Sequence, residues 1–331
     1  MKKKSVFPNS VHRPSVQQLI LTALFGLLPF LFTGCRKELK PATGMLPDKQ
    51  YIKGTASLTA FSPAASFKVM SFNIRRDQPG DPESIMQRRG KILQIVKDHL
   101  PDIFGLQEFQ DDSIKTWFIA QVNTIGYSGY YETPTGSSPK AIFYKRDRFS
   151  LKRAGVEKII DAPQSDKTYW AVLEDLSNSA DYFITNTHWN PSEQSYRQIN
   201  AERHAAMISR ENSDNLPLIA FGDYNASPTK SEISYFKNLL GVADAMGDST
   251  GGKTFHGWDD IGDGKIDYIF LSGDLAYSHS TIINTSYNGL WPSDHWPVIT
   301  TIYPSFFDQE HLDASGLSVS QYTNFLFGDI N

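Results

Sequence analysis

Short apolar runs that end on polar residues recur along this chain. Phe67 to Ile74 alternates as a strand does, with Asn73 on the face of Phe67, Val69 and Ser71. Ile85, Ile92, Val96 and Leu100 keep a helical stripe, which Asp81 and Pro82 open as N-cap and first position and Pro101 closes. Ile103 to Leu106 is a second short run and ends on Gln107 and Glu108. Tyr130 to Pro139 reads as a loop, and Lys140 to Lys145 as the next strand. Asp181 to His188 carries Tyr182, Ile184, Asn186 and His188 on one face. Ser192 to Arg210 reads as a helix with Ser192 as N-cap. Leu216 to Phe221 predicts a buried strand that stops at Gly222, Asp223 and Asn225. Ser231 to Leu240 is a short helix, and Lys265 to Leu271 a strand with Asp267 on the face of Ile269 and Leu271. Trp291 to Pro297 leads Asp294 and His295 into a last strand, Val298 to Tyr303.

Each polar strand end has a bland reading of its own. Asp223 and Asn225 suit a turn, Asn73 a satisfied core amide, Glu108 a solvated strand end, and Asp294 with His295 a surface turn. Asp267 is different, because a carboxylate on an apolar face is costly unless paired. If the strand stays extended beyond Gly222, Asp223 and Asn225 share a face, and Gly222 allows something to approach the backbone closely. Asp259 to Asp267 fails the calcium-loop template, since Ile261 stands where an oxygen ligand is needed, and it reads as a turn. Taken together, carboxylates, amides and histidines at six strand ends form an oxygen-rich set suited to Mg²⁺ or Mn²⁺, the ions of phosphoryl chemistry.

The two ends of the chain read differently from its middle. Lysines precede an apolar run, Leu19 to Phe32, that is short for a membrane span, holds Pro29 and matches a secretory signal. Phe32-Thr33-Gly34-Cys35 then resembles the lipobox of bacterial lipoproteins, with Cys35 the only cysteine of the chain and the lipidation site; the alternatives are a plain signal peptide or an uncleaved anchor. The division expected is therefore 1–35 signal peptide, 36–65 linker, 66–303 one domain and 304–331 an extension that docks somewhere. The implied location is an exported, membrane-anchored lipoprotein on the periplasmic face or cell surface. A net charge of -4 and a pI near 6.1 show no basic stripe, which points away from tight nucleic-acid binding without excluding a nuclease. Oligomeric state is open.

Six segments, in order, resemble the endonuclease/exonuclease/phosphatase superfamily of DNase I-like metal-dependent phosphoesterases. They are Ser71-Phe72-Asn73-Ile74, Gly105-Leu106-Gln107-Glu108, Asn186-Thr187-His188, Gly222-Asp223-Tyr224-Asn225, Ile266-Asp267-Tyr268-Ile269 and Ser293-Asp294-His295. The resemblance implies a four-layer α/β/β/α sandwich of two mixed sheets with outer helices. It implies a metal held by Glu108 with help from Asn73 and with Asp294 nearby. It implies that Asp223 positions or activates water, that Asn225 orients the phosphate, that His188 meets the phosphoryl oxygens, and that His295 pairs with Asp267. Which residue is the base stays open. Tyr144, Asn190 and Arg197 stand where substrate-binding residues are expected. Trp189 and Asn190 replace the family's usual Leu-Asp, so the substrate among nucleic acid, phospholipid headgroup and small phosphate ester stays open. The rival reading is a pseudoenzyme on the same fold that binds a phosphorylated ligand or partner.

Overall fold

The structure, a computed structural model, describes residues 66–132, 140–159, 167–247, 252–259, 261–273, 275–278 and 280–304. The signal segment with Cys35, the linker and nearly all of the C-terminal extension lie outside the described residues. In chain order the elements are β1 (Phe67–Asn73), α1 (Ile85–His99), β2 (Ile103–Gln107), α2 (Asp112–Thr124), β3 (Tyr127–Tyr130), β4 (Ala141–Lys145), β5 (Phe149–Lys158), β6 (Lys167–Asp175), β7 (Ala180–His188), α3 (Gln194–Glu211), β8 (Leu218–Asp223), α4 (Ser231–Leu240), β9 (Val242–Asp244), β10 (Asp267–Ser272), β11 (Ala276–Tyr277), β12 (Thr281–Ile282) and β13 (Val298–Tyr303).

Period-two alternation sorts the strand side chains onto two faces. One sheet has the order β11-β13-β1-β2-β4-β3, with β12 also on β13; the other has β5-β6-β7-β8-β10-β9. Both are mixed: β1 runs parallel to β2 and β7 to β8, while the other pairs are antiparallel. Phe67 and Val69 of β1 meet Ile219 and Phe221 of β8 and Ile269 and Leu271 of β10 in an apolar layer between the sheets. Met70 and Phe72 instead face α1 and α2, and Phe183, Leu218 and Phe270 face α3 and α4. Three apolar layers inside four layers of structure make the α/β/β/α sandwich.

Several local expectations shift. α1 starts at Ile85 behind a capping box of Ser84 and Gln87, not at Asp81. Asp81 binds the Arg75 guanidinium, the Gln78 N–H and the Trp258 indole. Ser192 is not the cap of α3; Glu193 holds that position without a side-chain bond, and Asn190 Oδ1 accepts from the N–H groups of Ser192 and Glu193 instead. β5, β6 and α2 lie in stretches to which the hydrophobic pattern assigns no element.

Where the inner face turns polar, it still holds the sheets together. Asn186 of β7 donates to the carbonyls of Leu106 (2.9 Å) and Ala141 (2.8 Å) in the opposite sheet, and accepts from Gln107 (2.8 Å). Gly105 is required below it, since a Cβ there would stand 2.0 Å from the Phe221 ring. One end of the inter-sheet layer is thus a buried hydrogen-bonded floor, and the candidate site stands on it.

Candidate active site

The inner-face positions at this end are Asn73, His188, Asp223 and Asp267, each at a strand terminus. Register brings them together: Asp223 pairs with His188 on one side and Asp267 on the other. Gly222 makes this pairing fit, because it takes φ +153° and a Cβ there would lie 2.3 Å from the Thr187 carbonyl oxygen. The strand does not continue to Asn225. That residue turns with φ 49°, donates its N–H to Asp223 Oδ1 (2.9 Å) and its side-chain amide to the Trp189 carbonyl (2.9 Å). Turn chemistry and site chemistry therefore share the same residues.

Asn73 joins the two sheets. Its Nδ2 donates to Asp223 Oδ2 (2.9 Å) and Glu108 Oε1 (3.3 Å), while its Oδ1 accepts from the Arg75 N–H (3.0 Å). It meets the carboxylates with its nitrogen, so here it orients them and does not offer a ligand oxygen. Glu108 turns out of β2 with φ 56° and accepts from the Arg76 N–H at 3.1 Å. His295 Nδ1 shares a hydrogen bond with Asp267 Oδ2 at 2.9 Å, and its Nε2 lies 3.8 Å from Asp223 and 4.0 Å from Asp294. His188 Nε2 lies 3.4 Å from Asp223. The Arg75 guanidinium sits 3.3 Å from Asp294.

Burial and neighbouring charge set the protonation states. Burial pulls the His295 imidazole down, but Asp267, Asp223 and Asp294 outweigh it and push it up to about 10. Burial lowers His188 to about 4 against the attraction of Glu108, so at neutral pH it is neutral. Burial, then the charge of Asp267, pushes Asp223 up to about 7. Burial also raises Asp294. On Glu108 burial acts upward, yet the imidazoles, the Arg76 N–H and Asn73 hold it below the usual carboxylate range. The site thus combines a cationic imidazole, a neutral one and a carboxyl poised near neutrality, the spread that acid–base chemistry uses.

Glu108, His188, Asp223, Asn225 and His295 line a cleft of about 630 Å³ that also takes in Arg75, Arg76, Gln78, Lys140, Phe255 and Ile266. The three expected substrate contacts are elsewhere. Tyr144 is buried in the inter-sheet layer opposite Ile103, at the far end of β2 from Glu108. β4 runs antiparallel to β2, so its entry residue Lys140, not Tyr144, reaches the cleft. Asn190 is spent on capping the turn into α3. Arg197 pairs with the buried Glu232 of α4 at 2.9 Å, because α3 stands on the outer face of its sheet. Besides Lys140, the cations that reach the cleft are Arg75 and Arg76, which follow Asn73 and Ile74 in sequence; two adjacent arginines after a polar strand end were the available signal.

The donor set fits a hard divalent cation. Asp223, Asp267 and His295 place ligand-type atoms within 4.8 Å of one another. The proton shared by His295 and Asp267 stands against an ion among those three. Glu108, which shares the Asn73 amide with Asp223, and Asp294, close enough to feel the Glu108 charge, are the oxygen donors outside that hydrogen bond and make the better pair.

The sequence model of the endonuclease/exonuclease/phosphatase family matches residues 70–295, the span that contains every one of these groups. The chain belongs to this family. Among curated proteins it is similar to protein angel homolog 2 of Mus musculus, 26% identical over 199 residues, which covers 52% of this chain and 37% of that protein. The chain thus spans little more than a third of the length of that relative. Among solved structures, a family member from Bacteroides thetaiotaomicron aligns with TM-score 0.65 at 22% identity over 72% of this chain and 97% of its own. A mannosyl-6-phosphatase of the same organism aligns with TM-score 0.62 at 22% identity over 71% of this chain and 99% of its own. ANGEL2, a 2',3'-cyclic phosphatase in complex with adenosine-2',3'-vanadate, aligns with TM-score 0.60 at 18% identity over 72% of this chain and 95% of its own. At these identities the solved structures establish the shared DNase I-like fold.

Proposed function

We propose that this family member is a divalent-metal-dependent hydrolase of phosphoester bonds, phosphodiesters first, exported and held at a bacterial membrane through Cys35. The observation that carries the catalytic part is the convergence of Asn73 and Glu108 from one sheet with His188, Asp223 and Asp267 from the other, closed by His295 at 2.9 Å from Asp267. Mg²⁺ or Mn²⁺ held by Glu108 and Asp294 would supply neutralising charge at the phosphoryl oxygens. Asp223, close to neutrality in its proton affinity, would accept the proton of the attacking water. Neutral His188 would donate a hydrogen bond to a phosphoryl oxygen, and cationic His295, held in orientation by Asp267, would offset the developing charge. Asn225, steadied by the Trp189 carbonyl, would orient the phosphate. Arg75, Arg76 and Lys140 would draw an anionic ester into the cleft.

The test is a panel of plasmid DNA, RNA, sphingomyelin, phosphoinositides, a sugar 6-phosphate, a 2',3'-cyclic nucleotide and a chromogenic phosphodiester, each with Mg²⁺, Mn²⁺ or EDTA. Turnover that EDTA abolishes supports the reading, and the preferred ester names the substrate. Phospho-ligand binding with no turnover anywhere on the panel would establish the pseudoenzyme instead.

A further inference from the structure

A buried cation holds the main chain of segments that carry the site. Arg88 of α1 is 0% exposed, and its guanidinium donates only to main-chain oxygens in its hydrogen bonds: Nη1 to Ile74 (2.7 Å) and Pro292 (2.8 Å), Nη2 to Arg75 (2.7 Å) and Nε to Glu83 (3.0 Å). The Trp258 ring covers it at 5.2 Å. Taking a charge out of water is costly, so its hydrogen bonds must be well made. A planar fork is the side chain that can hold several acceptors in fixed directions at once.

Three of the four carbonyls it grips belong to two segments that carry the site. Ile74 and Arg75 follow β1. Arg75 takes φ 55°, a conformation non-glycine residues avoid, and from it donates its N–H to Asn73 Oδ1 (3.0 Å). The next N–H, of Arg76, reaches Glu108 Oε2 at 3.1 Å. Pro292 precedes Ser293, Asp294 and His295. Ser293 ties the two segments from the other side: its Oγ donates to the Asn73 carbonyl (2.7 Å) and accepts from the His295 N–H (3.2 Å).

We infer that Arg88, with Ser293 opposite, is a positioning clamp for the metal-side half of the site. It acts through the carbonyls of Ile74, Arg75 and Pro292 to hold Glu108, Asn73 and Asp294 in one arrangement. The inference rests on the metal-side assignment made above. A purely structural arginine would affect melting alone, whereas groups that orient metal ligands affect metal affinity and turnover together, by about tenfold to a hundredfold.

The experiment titrates the metal-free protein with Mn²⁺, reading free ion by electron paramagnetic resonance, and measures kcat and KM on the preferred ester and Tm by calorimetry. Arg88→Lys keeps the charge and removes the fork. It is expected to weaken Mn²⁺ binding and lower kcat by about tenfold or more, with KM little changed. Ile95→Ala, in the same helix and fully buried on its core side, serves as the comparison; it should lower Tm and leave Mn²⁺ affinity and kcat unchanged. Ser293→Ala, a small change that the core tolerates, should weaken Mn²⁺ binding in the same sense and combine less than additively with Arg88→Lys. If Arg88→Lys does not fold, Ser293→Ala decides alone, and unchanged Mn²⁺ affinity in it overturns the clamp. Equal losses of affinity in Ile95→Ala and Arg88→Lys overturn it as well. A wild-type protein that takes up no Mn²⁺ overturns the metal-site reading and this inference with it; wild-type uptake with unaltered variants overturns the clamp alone.

Discussion

His295 holds a positive charge where burial opposes one, and Asp267 is the first reason it does. The hydrogen bond between Nδ1 and Asp267 Oδ2 is 2.9 Å long, while Asp267 Oδ1 is buried without a partner. Asp267 therefore directs its bonding to one imidazole and fixes that ring's charge and orientation. His295→Ala and Asp267→Asn are each expected to cut kcat by roughly a hundredfold or more. The double variant should be far less than multiplicatively worse, because residues that act as a unit are not additive. Steady-state kinetics on all three variants checks this. Fully additive losses would show that the two residues work apart, and an Asp267→Asn variant with normal kcat and lowered Tm would reduce Asp267 to a turn cap. This pair was readable in the sequence, since a carboxylate alternating with Ile269 and Leu271 demands a partner. Tyr144 was misplaced for a reason at the same scale. Motif position names a strand, but only the antiparallel register of β4 on β2 says which end of it meets Glu108.

Elements carry the next level of constraint. β8 delivers Asp223 only because Gly222 lets the Thr187 carbonyl come close, so Gly222→Ala must push β7 and β8 apart or twist Asp223 away from Asn73. The expected result is a loss of about 3 kcal/mol or more of stability, as for other strained or overpacked core changes, with activity reduced in the fraction that folds. Urea denaturation measures the first and kinetics the second; a variant with wild-type values in both would refute the close-approach argument. Behind β7, His204 of α3 is fully buried, bonds Thr185 Oγ1 through Nε2 at 3.1 Å, and packs against Trp189, Tyr224 and Phe236. Burial lowers its imidazole to about 3. The folded state thus holds His204 neutral while the unfolded chain protonates it near the ordinary value of about 6.5. The sign follows: this contribution is complete above about 6.5 and is lost as pH falls toward about 3, by up to ~1.4 kcal/mol per pH unit. Urea midpoints at pH 7.5, 6, 5 and 4 for wild type and His204→Gln would show a flatter acid limb in the variant; parallel limbs would refute it. Elements with clean alternation or stripe, such as β1, α4 and β13, were legible in the sequence. β5 was not, because its ten residues are mostly half-exposed and alternate poorly. In α2 only Ile114, Phe118 and Val122 mark the buried face by apolar spacing, and Lys115, also buried, carries a charge that hides its position from the pattern.

At the scale of the whole molecule, two expectations concern what the chain binds. Among the described residues no helix is long and apolar enough to cross a membrane; the attachment proposed above is through lipid at Cys35. Cys35→Ser should therefore take up no labelled fatty acid in a bacterial host, and incorporation at the wild-type level would refute the lipobox reading. The second concerns the metal, whose ligand set was legible as a class of residues but not as an arrangement. Nothing in the sequence indicates that Asn73 would meet Glu108 and Asp223 with its nitrogen, because amide orientation depends on the Arg75 N–H beyond the strand end. Several carboxylates crowd this cleft, and burial raises Asp223 and Asp294 toward their neutral forms. A cation between Glu108 and Asp294 would relieve that crowding in the folded state alone. Binding to the folded state at a hundred times the dissociation constant adds about 2.7 kcal/mol. For a domain of this size that raises Tm by roughly 5–10 °C. Glu108→Gln keeps an oxygen for the Arg76 N–H, so its metal-free melting should stay near wild type, while both the Mg²⁺-induced rise and most of the activity disappear. Calorimetry with and without Mg²⁺, alongside kinetics in excess EDTA, makes the comparison. A Glu108→Gln variant that hydrolyses its ester at the wild-type rate in EDTA would remove the metal from the mechanism and leave Asp223, His188 and His295 to account for the chemistry.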